Sequence, residues 1–562
     1  MNVMSIPQAR RGADADRETE WWRGAVIYQI YPRSFQDSNG DGIGDLAGIT
    51  RRLTYVASLG VDAVWISPFF KSPMLDFGYD IADYRAIDPM FGTLADFEAL
   101  IAEAHRLGLK IIIDQVYSHT SDRHAWFTES RSSRDNPKAD WYVWADPKPD
   151  GTPPNNWLSV FGGSAWRWDS TRCQYYLHNF LSSQPDLNFH NPAVQDAILD
   201  TARFWLDRGV DGFRLDALNF LFHSRGLEDN PPAPPDERLG ADTPAVNPYR
   251  YQRHLYDKNR PEVVAFLKRF RRLLNEYPGA MSIGEVGESR RSLELMAEYT
   301  CGGDRLHMCY SFDFLSLEPP TPARIRGMVE RFDECAGDGW TCWSFSNHDV
   351  MRHASRWAAG LPDPGAYLRM LATLLLSLRG SVCLYQGEEL GLTEASIDFE
   401  DLQDPYGIQF WPAFKGRDGC RTPMVWSGEA PNGAFSEGKP WLPVAPEHLP
   451  LAVSIQESDP TALLNHYRTM LAFRARHPEV VKGDIRFIGE SGRVLAFERR
   501  LAGRAMLVVA INMGGEQATI ALGTRACEAI PGFDAGGRFE QGELTLRPYG
   551  CWFARTEDGG GE

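Results

Sequence analysis

The sequence predicts an α/β fold: a parallel (β/α)8 TIM barrel with an inserted domain after its third strand and a C-terminal β-sandwich domain. Three observations carry this. Eight short β-branched apolar runs recur along the chain, continuous rather than alternating, as parallel strands buried on both faces are. Amphipathic helical stretches separate them, and eight strand–helix units in one run give a barrel rather than an open doubly wound sheet. From residue 483 the pattern changes to short strands with Gly-rich turns, as in a sandwich.

In chain order, residues 1–20 are polar and read as a loose tail. The barrel occupies 21–117 and 187–482. Its strands are read as GAVIYQI (24–30), VDAVWIS (61–67), LKIIIDQV (109–116), VDGFRLDA (210–217), AMSIGEV (280–286), MCYSFDF (308–314), WSFSNHD (343–349) and SVCLYQGEE (381–389). Of the helices between them, TLADFEALIAEAHRLG opens on Thr93, a good N-cap residue. That segment and NPAVQDAILDTARFWLDRG both end in Gly, a common helix stop. Residues 118–186, rich in Trp, Pro, Asn and Gly, read as the inserted domain, and 393–455 as an irregular stretch after the eighth strand. The segments RVLAFERR, AMLVVAINM, QATIAL and ELTLRPYGCWFAR are read as strands of the C-terminal domain, 483–562.

Composition narrows the function. The net charge is −17 with no basic stretch, which argues against nucleic acid or an anionic membrane as partner. The N-terminal residues lack the apolar core of a secretion signal. The most apolar segment, LATLLLSLRGSVCLYQG, is broken by Arg379 and Gly380, so no membrane helix is expected. Nine dispersed cysteines without metal-type spacing read as reduced thiols in a cytoplasmic protein. The wealth of Trp and Tyr suits a large core and also stacking on the apolar faces of sugars.

In barrel enzymes the chemistry lies at the C-terminal ends of the strands. Asp114 and then His119 stand at that end of the third strand, Arg214 and Asp216 at the fourth, Glu285 at the fifth, and Asn347, His348 and Asp349 at the seventh. Converging carboxylates hold a metal or work as acid and base. Arg214 among them favours the second, because a neighbouring cation lowers a carboxyl pKa and would keep Asp216 ionised as a nucleophile. A second carboxyl, crowded by the others, would keep its proton and protonate a leaving oxygen, the glycosidase scheme.

Ordered motifs then carry a resemblance. DQVYSHTSDRHAWF, DGFRLDALN, SIGEV and FSNHDVMR resemble four short regions of the α-amylase family of glycoside hydrolases. WWRGAVIYQIYPRSFQDSNGDGIGDLAGI, SPFFKSPMLDFGYDIADY, QPDLNF and GRDGCRTPMVW resemble its α-glucosidase and oligo-1,6-glucosidase branch, and the likeness runs from about Trp21 to Trp552. It implies a retaining exo-acting α-glucosidase with Asp216 as nucleophile, Glu285 as general acid/base, Asp349 as transition-state stabiliser and Arg214 orienting Asp216. His119 and His348 would bind hydroxyls of the glucose. Asp76 and Tyr79 would close its subsite, the acid on a hydroxyl and the ring stacked, with Arg417 paired to the acid. Glu394 in LTEAS would reach the acceptor side, and Phe161 and Phe180 would wall the pocket. A sucrose hydrolase, sucrose isomerase or glucosyltransferase shares every catalytic residue. Inactive transporter-associated relatives are degraded at these positions, which are intact here.

Substrates would be maltose, sucrose, short oligosaccharides, and aryl or alkyl α-glucosides. In this branch Val after the nucleophile accompanies α-1,6 preference and a smaller residue α-1,4, so Ala217 favours maltose-like or sucrose-type bonds. Ser118 stands where amylases carry an Asn that binds structural calcium, a departure from that site. DSNGDGIGD instead spaces Asp37, Asn39, Asp41, the Ile43 carbonyl and Asp45 at alternate positions, as an EF-hand begins. Gly48 at the twelfth position excludes an EF-hand, and the residues alone also fit an Asx/Gly-rich turn. The resemblance implies a structural Ca2+ or Mg2+ there, and no organic cofactor.

Overall fold

The computed structural model describes residues 20–238, 243–288, 290–489, 492–523, 527–533 and 535–556. The tail read at 1–20 lies outside them, except for Glu20.

Eight parallel strands close one barrel: β1 Val26–Ile30, β2 Ala63–Ile66, β3 Lys110–Val116, β4 Gly212–Asp216, β5 Met281–Val286, β6 Met308–Ser311, β7 Cys342–Ser344 and β8 Ser381–Tyr385. They pair in the order β6-β5-β4-β3-β2-β1-β8-β7, and a parallel bridge from Cys309 to Thr341 joins the two ends. The helices between them include α1 Leu46–Leu59, α2 Leu94–Arg106, α3 Pro192–Leu206, α4 Glu262–Leu274, α5 Ser292–Thr300, α6 Pro322–Ala336 and α7 Pro364–Ser377. Thr93 caps α2 through a reciprocal box with Asp96, satisfying two free N–H groups at the helix start.

Side chains alternate along a strand, and this decides what faces the barrel axis. Ile111, Ile113, Phe213 and Leu215 point outward into the large core shared with the helices. Ile27, Trp65, Ile112, Met281, Ile283, Met308 and Tyr310 point inward and fill a smaller inner core. By the same alternation Gln29, Asp114, Arg214, Asp216 and Glu285 face inward, near the top of that plug. Register aligns them across strands: Asp114 is opposite Arg214, and Glu285 is opposite Tyr310.

Between β3 and β4 a three-stranded antiparallel sheet forms from Trp144–Ala145, Trp166–Asp169 and Gln174–Leu177. C-terminal strands Asp484–Phe487, Val494–Arg500, Leu507–Asn512, Cys551–Thr556 and Cys527–Ala529 make one antiparallel sheet. Ala518–Ala521, Glu543–Leu546 and Gly537–Glu540 make another.

Some boundaries differ from the sequence reading. ELTLRPYGCWFAR is two strands in two different sheets, because Pro548 has no N–H for a ladder and Tyr549 takes φ 53°. Cys342–Ser344 is the whole of β7, and Asn347 to Asp349 lie on the loop beyond it. There the Asn347 side chain accepts the Asp349 N–H at 2.9 Å, which turns the chain. β8 stops at Tyr385, before Gly387 at φ 83°.

Candidate active site

Arg214 sits at the centre of the mouth with no solvent exposure. Its Nη1 donates to Asp216 Oδ1 at 2.6 Å and Asp114 Oδ1 at 2.8 Å, and its Nη2 to Glu285 Oε1 at 2.5 Å. Strand alternation explains the grouping: Arg214 and Asp216 are two residues apart on one inward face, and Asp114 and Glu285 come from the two neighbouring strands. A guanidinium without water needs anionic partners, and here it takes three.

One cation shared by three buried carboxyls cannot hold all of them ionised. Burial pushes Asp216 up to about 7 and Glu285 up to about 7, with Arg214 pulling each back. Asp114, beneath them, is pushed up to about 6 by burial. Arg214 lowers the Asp216 pKa as the sequence reading expects, but not by enough to keep the carboxyl fully ionised. The arginine is divided, so burial wins. The outcome is a coupled pair, Asp216 and Glu285, holding about one proton near neutral pH.

Asp349 behaves oppositely. Burial pushes it up, but Arg417 and Arg421 lie at 3.2 and 3.0 Å from Oδ1 and hold it well below the usual carboxylate range. His348 Nε2 lies 3.3 Å from Oδ2, yet burial keeps that imidazole neutral, so the arginines are the cause that matters. His348 Nδ1 meets Gln29 Nε2 at 2.7 Å and its Nε2 meets the Tyr79 hydroxyl at 2.6 Å. Tyr79 stacks on the His348 ring at 5.2 Å and donates to Asp114. Burial pushes His119 down to about 4, so it is neutral, with Nε2 3.0 Å from the Tyr79 carbonyl.

Asp76 and Arg417 meet at 2.8 Å, and Arg417 also grips Asp404 through Nε and Nη2. Gln184 Nε2 donates to the other Asp76 oxygen at 3.0 Å. Aromatic rings line the side facing the inserted domain. Phe161 lies 6.0 Å from Phe180 and 5.0 Å from Tyr406, Phe180 lies 5.1 Å from His119, and the Arg417 guanidinium covers Phe161 at 5.2 Å.

The structure thus brings Asp216, Glu285, Asp349, Arg214, His119, His348, Asp76, Tyr79, Arg417, Phe161 and Phe180 to one mouth. Glu394 is half-buried beside them, and its Oε2 accepts the Arg352 N–H at 3.1 Å, three residues past Asp349. Sequence reasoning missed Arg421, four residues after Arg417 in the same motif, and Asp404, which also caps the helix Pro405–Phe410. It missed Tyr310 too, although period two from Met308 turns Tyr310 inward.

The loop 37–45 lies away from this mouth. Asp37 Oδ1 accepts the Asn39 and Gly40 N–H groups, and Oδ2 the Gly42 N–H and the Ser436 hydroxyl. Asn39 and Asp41 accept the N–H two residues on, and Asp45 caps α1 and holds Ser38. These oxygens accept the loop's own N–H groups and the Ser436 hydroxyl, so a cation held here would take the place of some of those hydrogen bonds. Among the described residues no three His, Cys, Asp or Glu side chains converge as a metal site.

Comparison with known proteins agrees with this geometry. The family model for the alpha amylase catalytic domain matches residues 29–483. A probable alpha-glucosidase of Rhizobium meliloti (strain 1021) is 61% identical over 96% of this chain and 97% of its own length. The oligo-1,6-glucosidase of Heyndrickxia coagulans is 41% identical, covering 81% of this chain and 85% of that one. Among solved structures, the alpha-glucosyl transfer enzyme XgtA superimposes with a TM-score of 0.92 at 57% identity, over 96% of this chain and 99% of that one.

Proposed function

The chain belongs to the α-amylase catalytic-domain family, and from that premise we propose that it is a retaining, exo-acting α-glucosidase. It releases α-glucose from the non-reducing end of short α-glucosides, maltose-like α-1,4 bonds preferred. The observation that carries this is the sharing of one guanidinium: Asp216 and Glu285 take its two terminal nitrogens. A bridge through one guanidinium favours the short carboxyl separation of retaining enzymes (about 5–5.5 Å) over the wider gap that an inverting enzyme keeps for water.

The steps follow from the free oxygens. Arg214 occupies Asp216 Oδ1, so Oδ2 attacks the anomeric carbon. The C1–O bond breaks as Glu285 passes its proton to the leaving oxygen, and the coupled pair ends with Asp216 esterified and Glu285 ionised. Water then gives its proton to Glu285, attacks C1 and releases Asp216 with net retention. Asp349, kept ionised by Arg417 and Arg421, faces the positive charge that develops on the ring. Asp76, Arg417 and Asp404 close the pocket behind one glucose, which makes the action exo.

Glucose transfer to other acceptors is a second activity of the same site. The Phe161–Phe180–Tyr406 wall favours it by keeping water from the intermediate. The likeness to a glucosyl transfer enzyme points the same way, with the sucrose hydrolase and isomerase reactions as alternatives. A Ca2+ or Mg2+ at Asp37, Asn39, Asp41, Ile43 and Asp45 belongs to the proposal as a structural ion only. What supports it is the oxygen spacing, and it would need the loop to exchange hydrogen bonds for the ion. No helix among the described residues is long and apolar enough to cross a membrane. Nine free cysteines fit a cytoplasmic setting.

Proton NMR of fresh mixtures with maltose, isomaltose and sucrose tests the reading. Early α-glucose from maltose, with little from isomaltose, is expected. Early β-glucose would mean inversion and remove the nucleophile role of Asp216. New glycosidic signals without free glucose would make transfer the main activity.

A further inference from the structure

We propose that Tyr310 is a positioning residue for the acid/base step, its hydroxyl fixing Glu285 Oε2 as the oxygen that carries the proton. The inference rests on Glu285 being the acid/base and assigns a role to a side chain the mechanism above does not use.

Tyr310 follows from the strand register. It faces Glu285 across β5 and β6, both side chains point inward, and its ring is 1% exposed. Its oxygen lies 2.8 Å from Glu285 Oε1, 2.8 Å from Arg214 Nη2 and 3.2 Å from Arg214 Nε. A guanidinium only donates. The phenol therefore receives both arginine N–H groups on its lone pairs, and its own hydrogen points at Oε1. Among the described residues that hydrogen has no other acceptor.

Oε1 then has two donors, the Tyr310 O–H and Arg214 Nη2 at 2.5 Å. A proton placed on Oε1 would face both of them. Among the described residues Oε2 receives only the Ala217 N–H, at 3.0 Å, and keeps a lone pair for the proton. The geometry separates the two oxygens: Oε1 is held as the anionic end, and Oε2 delivers and later collects the proton.

Arg214 and Asp216 face Glu285 from β4, Asp114 from β3 behind Arg214, Tyr310 from β6, Asp349 from the loop after β7, and the Ala217 N–H from the turn after β4. Tyr310 is the one neutral side-chain donor among them. A donor to the ionised form lowers a carboxyl pKa, so losing it raises that of Glu285. The alkaline limb of kcat/KM, where Glu285 gives up its proton, then moves to higher pH.

The test uses the full-length enzyme and maltose. Tyr310→Phe is expected to move the alkaline limb of kcat/KM up by about one pH unit and to lower kcat about tenfold. Placing 3-fluorotyrosine at 310, a stronger donor of nearly the same shape, is expected to move that limb down. A merely structural role would change stability and amplitude but not shift the limb in opposite directions. Two folded variants with the parent limb, or with shifts of the same sign, overturn the proposal. If Tyr310→Phe fails to fold, the fluorotyrosine enzyme decides alone: an unmoved or raised limb sinks the idea. Failure of the underlying reading shows separately, as early β-glucose or as turnover surviving in Asp216→Asn.

Discussion

Arg417 reaches Asp76 across 341 residues of sequence, with its Nη2 2.8 Å from Asp76 Oδ1. The same guanidinium holds Asp404 and touches Asp349, so one side chain ties Asp76 to Asp404 and helps keep Asp349 ionised.

Arg417→Ala should therefore damage binding and chemistry together. The buried carboxylates of Asp76 and Asp404 and the partly exposed one of Asp349 lose a partner, and breaking a buried pair costs about 3–5 kcal/mol. The expected result is a kcat/KM on maltose lower by about 100-fold or more, with KM rising as well as kcat falling. Steady-state kinetics on maltose and maltotriose check it. A variant with unchanged KM would show that the pair does not touch the substrate.

Asp216→Asn should stop turnover while the fold survives. The amide keeps the shape and accepts from Arg214, but it cannot form the covalent intermediate. A fall in kcat on the order of 10³-fold or more is expected. Thermal unfolding should be unchanged or slightly raised, since a costly buried carboxyl is gone. Near-normal rates on maltose would remove the nucleophile assignment.

The barrel strands and the meeting of Asp216, Glu285 and Asp349 at one mouth were legible in the sequence because each strand is a buried run and each acid lies at its C-terminal end or on the loop just beyond it. Tyr310 was not, because an aromatic on an inward strand face reads as core, and only the register opposite Glu285 reveals its hydroxyl. Arg421 and Asp404 were hidden for another reason. They lie in the irregular stretch after β8, where no periodicity predicts direction, and only the folded loop aims them at Asp349 and Arg417. The sign of the Asp216 shift was also out of reach, since it depends on how deeply the carboxyl is buried and on how many other carboxyls share Arg214.

Glu388 gives a pH prediction separate from catalysis. It is 2% exposed, just past β8, and burial pushes it up to about 8. The Tyr385 N–H at 3.4 Å and the Tyr467 hydroxyl at 3.1 Å donate to it and offset this only in part. The folded form thus binds a proton that the unfolded chain has released above pH 4.5. Its contribution is complete below about pH 4.5 and is lost as pH rises through about 8, on the order of 5 kcal/mol. Glu388→Gln should flatten the fall in Tm between about pH 5 and 8. A variant with the parent slope would show that Glu388 ionises at its ordinary value.

The loop 37–45 gives the last prediction. Its oxygens now accept the loop's own N–H groups, and burial, which pushes Asp37 up, is outweighed by Ser436 and three backbone N–H donors, so Asp37 stays ionised. A cation bound here would tie the loop to the segment 436–441, which it already touches through Ser436 and the Trp441 N–H on the Gly42 carbonyl. Ligand that binds only the folded state raises Tm with its concentration. Millimolar Ca2+ or Mg2+ should raise the Tm of the chelator-treated enzyme by a few degrees, since about 1–2 kcal/mol suffices in a chain of this size. Asp41→Ala should abolish that rise and leave kcat on maltose unchanged, because the loop lies away from Asp216 and Glu285. Differential scanning calorimetry with and without the ions decides it. A Tm indifferent to both would leave these residues as a hydrogen-bonded turn and no more.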